Sequence, residues 1–168
     1  MSELPVVSVS LSARLLGLAA IDRALRLRDA RPCSLQRFRS TEHKSAFVTK
    51  AVRQLVERLC PTTIVLEERE LAERDERLCA VGRAVQDTLV GYSLRQMSFA
   101  AACIALTGRR DIARTAVHLA DRYDVLARQL DLTTPATPFR GRYREVRPLL
   151  VALALAEVVA HEHLTAHG

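Results

Sequence analysis

The sequence predicts an α/β domain in which a mixed five-stranded sheet is flanked by helices, and three observations carry that prediction. The opening stretch "VVSVSLSARLLGLAAI" alternates apolar and small residues on either side of a short polar turn, the pattern of a hairpin. "TTIVLEE", residues 62–68, is a short β-branched run of the kind found in a buried central strand. From that point strand-like and helix-like segments alternate, and the chain closes on the apolar "PLLVALALAEVVA". Three strands in succession followed by alternation give the order β-β-β-α-β-α-β-α-α, which implies a mixed sheet covered by helices.

Taken in order, Val6 to Ser10 and Leu16 to Ile21 form the hairpin, and a third strand is expected within "RPCSLQRFR", residues 31–39. The next segment reads as a helix capped by Ser40 or Thr41. Ala46, Val48, Val52, Leu55 and Val56 are on its apolar face, and Pro61 ends it. After the central strand, Leu71, Leu78, Val81, Val85 and Leu89 keep helical spacing. A strand is expected at Tyr92 to Met97, turning helical at Ser98, and a further helix follows with Asp111 in its first turn. The Pro-, Thr- and Arg-rich segment 130–148 reads as a loop. Pro148 is expected at the tolerated first turn of the closing helix.

The 168 residues suit one domain, 1–168, with a single core. The last apolar run is broken by Glu157 and falls short of a membrane span, so no membrane partner is expected. The first residues lack the basic region of a secretory signal, which predicts a cytoplasmic location. Cys33, Cys60, Cys79 and Cys103 have neither disulfide-framework nor zinc-site spacing and are expected as isolated thiols. His161, Glu162, His163 and His167 read as a frayed, solvated helix end, and His118 as a packed or half-buried helix residue. The net charge of +6 comes from 23 Arg and 2 Lys against 19 acids. It favours an anionic partner, although an Arg-, Ala- and Leu-rich composition also follows from a GC-rich genome.

Four features together resemble the RuvC-type Holliday-junction resolvases of the ribonuclease-H-like superfamily. They are the opening hairpin with Arg14 and Gly17, the strand "TTIVLEE" ending in acids, the segment "SFAAACIALTGRRDIARTAVHLADRY", and the loop leading into "REVRPLLVALALA". The resemblance implies that the first strand, the fourth strand and the last helix each deliver a carboxylate to one point, where two Mg²⁺ ions about 4 Å apart serve phosphodiester cleavage. At the first of these positions the chain has Ser10. At the second it keeps Glu67, with Glu68 beside it. The third falls on or near Glu145 and Pro148, with Arg147 between them. A serine hydroxyl cannot offset a divalent charge, and an Arg147 aimed into the site would pair with Glu67 in place of metal. The resemblance further implies nucleic-acid contacts from Arg14, Arg109, Arg110, Arg114, Arg140, Arg142, Arg144 and Arg147. It also implies a homodimer formed through the helix after the fourth strand, with Leu71, Leu78, Val81 and Val85 available for it.

The expectation is a RuvC-like protein that binds branched or junction DNA, needs no cofactor and has lost cleavage. One alternative is an active Mg²⁺-dependent endonuclease using Glu67, Glu68, Glu145 and Asp22. The other is a protein-interaction module on the same fold. For Glu68, Glu70, Glu73, Asp75 and Glu76 a solvated helix start is the simpler reading, since acids suit that end of the dipole. The aromatic residues Phe139 and Tyr143 among the arginines of 140–147 could stack on bases.

Overall fold

A computed structural model describes residues 4–69 and 75–166. Five strands, β1 (Val6–Leu11), β2 (Leu15–Ile21), β3 (Leu27–Ser34), β4 (Thr63–Glu67) and β5 (Leu94–Met97), form one sheet in the order β3-β2-β1-β4-β5. β1, β2 and β3 pair antiparallel, whereas β4 joins β1 and β5 joins β4 in parallel. Among the described residues six helices flank the sheet: α1 (Thr41–Leu59), α2 (Glu76–Thr88), α3 (Phe99–Thr107), α4 (Ile112–Ala120), α5 (Asp124–Ala127) and α6 (Tyr143–Thr165).

Side-chain alternation in the central strands divides the core in two. Val7 and Val9 of β1, with Ile64 and Leu66 of β4, pack under α1 and α2. Val6 and Val65 face the opposite layer, where α6 lies under α3, α4 and α5. The two-residue period therefore sends Ser8, Ser10 and Glu67 toward α6 as well. The helices start where short polar side chains can accept from free backbone N–H groups. Ser40, Asp75, Ser98 and Asp111 cap α1, α2, α3 and α4 through His43, Arg77, Ala101 and Arg114.

Several boundaries differ from the sequence expectation. β3 begins at Leu27 and ends at Ser34, because Leu35 turns into the core and Phe38 packs on Phe47 of α1 instead of extending a strand. β5 is two residues shorter than expected, and the four-residue α5 was not anticipated. α2 starts at Glu76; Glu70, Leu71 and Glu73, like His167, lie outside the described residues. α6 starts at Tyr143, so Pro148 stands inside the helix and not in its first turn. The fold tolerates it because the helix bond it removes belongs to the carbonyl of Arg144, an exposed residue that water can reach.

α6 is the spine of the molecule. By length and mean hydropathy it is able to cross a membrane, but every residue from Pro148 to Ala160 is buried against the rest of the fold. Its approach to β2 depends on Gly17, where an added Cβ would lie 2.0 Å from the Pro148 carbonyl oxygen. Farther along, Ser8 Oγ donates to the Ala152 carbonyl at 2.5 Å and pins the helix to the middle of β1. Glu157, the one charged residue in the apolar stretch, is buried with Oε1 3.2 Å from both His118 Nε2 and Arg122 Nη1. His118 thus sits half-buried on α4, within hydrogen-bond distance of Glu157.

Candidate functional site

Strand register brings Ser10 and Glu67 together. β1 and β4 run in parallel with Val9 opposite Leu66, so Ser10 and Glu67 follow side by side at their carboxyl ends, on the face covered by the first turns of α6. Ligand sites of α/β sheets form at the carboxyl ends of such strands. Ser10 Oγ donates to Glu67 Oε2 at 2.6 Å. Arg147, projecting from α6, donates through Nη2 to Oε1 at 2.6 Å and through Nη1 to Oε2 at 3.3 Å, a two-pronged ion pair. Arg69 closes the other side, with Nε 3.9 Å from Oε2 and Nη2 donating to the Leu11 carbonyl. The Glu67 side chain is only 4% exposed and that of Arg147 17%.

Both oxygens of Glu67 are therefore occupied by an internal cation and a hydroxyl. A divalent ion needs several converging oxygens. Here a guanidinium occupies that space, and among the described residues no three His, Cys, Asp or Glu side chains are placed to hold a metal. The donor set does not fit the two Mg²⁺ ions that the resemblance implies.

Other candidate acids do not converge on this point. Glu145 is exposed, and two residues from Arg147 on a helix it points elsewhere; it is Arg147 itself that faces Glu67. Asp22 lies at the opposite end of the sheet, after the β2 residue that pairs with Val6. There it is buried, accepts from the N–H groups of Ala24 and Arg26, and pairs with Arg28 at 2.9 Å. Glu68 is exposed, and its backbone N–H donates to the Met97 carbonyl.

Glu67 and Glu68 form part of the wall of two clefts. One, about 370 Å³, is lined by Phe99, Cys103, Arg110, Tyr143 and Arg147. Burial raises both the Tyr143 phenol and the Cys103 thiol above their usual ranges. The other, about 350 Å³, lies between α2 and the ends of β1, β4 and β5, and includes Arg69, Cys79, Gly82 and Gln86. Sequence reasoning did not single out Arg69 or Phe99. Arg69 was masked by its acidic neighbours, and Phe99, whose ring centroid is 5.8 Å from the Arg147 guanidinium carbon, by the apolar run around it.

The basic candidates divide. Arg14, Arg109, Arg114, Arg142 and Arg144 are exposed, and Arg110 borders the larger cleft. Arg140 pairs with Asp131 at 3.0 Å, and with Thr133 it holds that carboxyl well below the usual carboxylate range. Phe139 meets Tyr143 edge-on at 4.9 Å and packs against the core, so it is not a free stacking surface. Val81 and Val85 point into their own core beneath α1, which removes them from the expected dimer face. Leu78 is partly buried, and Leu71 is outside the described residues.

No family model matches the sequence, and no curated protein matches it either. The fold, by contrast, is similar to solved structures over nearly its whole length. Thermus thermophilus RuvC superposes with a TM-score of 0.69 at 17% identity, covering 96% of each chain. T. thermophilus RuvC in complex with a Holliday junction substrate gives 0.65 at 16% identity, over 98% of this chain and 96% of that one. The yeast mitochondrial Holliday junction resolvase gives 0.65 at 9% identity, over 96% and 80%. The chain has a RuvC-type, ribonuclease-H-like fold.

Proposed function

We propose that this protein binds branched DNA, in the manner of a junction resolvase, without cleaving it. The observation that carries the proposal is the Glu67 carboxylate, saturated by Ser10 and Arg147 at the point where the resemblance implies metal. The Glu67 charge is met by the Arg147 guanidinium, with Arg69 farther off on the other side, so the site has no need of a divalent ion and supplies no activated water. Binding then depends on exposed arginines, including Arg109 and Arg114, which neighbour the cleft residues Arg110 and Ile112 in sequence, and Arg142 and Arg144, which flank the cleft residue Tyr143. It is salt-sensitive and independent of Mg²⁺. A second copy of the chain, if it docks through α2, uses the Cys79–Gly82–Gln86 side that borders the smaller cleft.

The test is titration against a fluorescent four-way junction and a matched linear duplex at low and moderate salt, with Mg²⁺ added afterwards. Tight, junction-preferring binding with the DNA left intact is the expected outcome. Cleavage abolished by Glu67→Gln would overturn the proposal in favour of an enzyme. Failure to bind either DNA would favour the protein-interaction module.

A further inference from the structure

The chain's formal excess of +6 is matched by residues 1–60 alone, which carry eleven Lys/Arg against five Asp/Glu. The fold sets many of these basic residues along one edge of the sheet. β3 is an outer strand, and Arg26, Arg28 and Arg31 stand exposed just before it and along it. Arg58 reaches the same edge from α1, where it pairs with Asp29. Past the end of the strand come Arg37, whose guanidinium carbon lies 4.8 and 5.0 Å from the ring centroids of Phe38 and Phe47, and the exposed Arg39. The Leu35 N–H donates to the Arg14 carbonyl at 2.7 Å, which ties this end to the β1–β2 turn beside the Ser10–Glu67 end of the sheet.

Acids on this edge face inward. Asp22 is fully buried beneath Arg28. Asp29, 16% exposed, is shared by Arg31 and Arg58, which are 48% and 54% exposed. Two guanidiniums on one carboxylate leave an outward positive charge. Pro32 lacks a backbone N–H, which discourages another strand from pairing here and leaves the edge to a partner met through side chains.

We infer that this edge is a second nucleic-acid track, along which one duplex arm of a branched DNA runs away from the branch point; the inference rests on the reading that the protein holds branched DNA. Eight strand residues span about 26 Å, the length of roughly eight base pairs. Arginine suits this role because its planar fork meets phosphate oxygens two at a time.

The test uses the full chain with Arg26→Gln, Arg31→Gln and Arg39→Gln combined. This variant keeps the Arg28–Asp22 and Arg58–Asp29 pairs and the Arg37 stack, and unchanged thermal unfolding checks that the fold is intact. Binding is measured against salt on four-way junctions whose arms are longer or shorter than the track. Wild type is expected to bind the long-armed junction more tightly. The variant is expected to lose that preference, with the slope of log affinity against log salt smaller by about two to three, near 0.9 per lost phosphate contact. A variant that keeps both the slope and the arm-length preference overturns the track alone. A wild-type protein that binds no DNA overturns the track and the proposed function together.

Discussion

Glu67 ends a central parallel strand, almost wholly removed from solvent, and its energetics follow from its partners. Removing Arg147 strips a buried carboxylate of its two-pronged partner and leaves it Ser10 and the longer Arg69 contact, so Arg147→Ala is expected to cost about 3 kcal/mol, read from the denaturant midpoint. Ser10→Ala removes one hydrogen bond to the same carboxylate and is expected to cost about 1–3 kcal/mol. Combining Ser10→Asp with Arg147→Asp would gather three carboxylates at one point. Without a cation that variant is expected to unfold at a lower temperature than wild type, and Mn²⁺ or Mg²⁺ to restore part of the loss, whereas wild type shows no such response. At this scale the sequence was informative: Ser10, Glu67 and Arg147 were all legible as a group. Glu145 was misplaced because it stands two residues before Arg147, which on a helix turns a side chain by about 200°, and no periodicity argument carries the register across the Pro-, Thr- and Arg-rich segment before it.

The elements around the site are held by close approach and burial. Gly17→Ala drives a methyl group into the Pro148 backbone, so α6 must move off β2. A loss above about 3 kcal/mol is expected by chemical denaturation, a size that follows from a short list of causes in which such a backbone conflict belongs. At the far end of α6, Tyr123 is buried beside Glu157 with its hydroxyl lacking a well-formed hydrogen bond. Burial, then the charge of Glu157, raises the phenol above its usual range. The folded state therefore holds this proton more tightly than the unfolded chain does. Its contribution is fully present below the ordinary tyrosine range near pH 10 and lost as pH rises above it. Thermal melts from neutral to strongly alkaline pH are expected to show a steeper loss in wild type than in Tyr123→Phe. The existence of most elements was visible in the sequence, because period-two and helical spacing report burial directly. β3 was placed too late because Arg28, Asp29 and Arg31 break up its apolar period, and the helical first turn of α6 was hidden by Arg-rich polarity and by Pro148.

At the scale of the whole molecule, order of synthesis matters. The hydrogen bond from Ser8 to the Ala152 carbonyl joins positions 144 residues apart, and α6 covers much of one face of the sheet. β1 and β2 leave the ribosome well before the helix that shields them. The nascent chain thus carries an apolar sheet face that stays uncovered until α6 emerges, and closing it requires contacts between residues far apart in sequence. Such topologies fold slowly and expose aggregation-prone surface meanwhile. Holdase chaperones are therefore expected to engage nascent chains that stop before Tyr143 and to release them once Ala160 has emerged. Gly17, by admitting the helix so closely, is what allows that exposure to end at all.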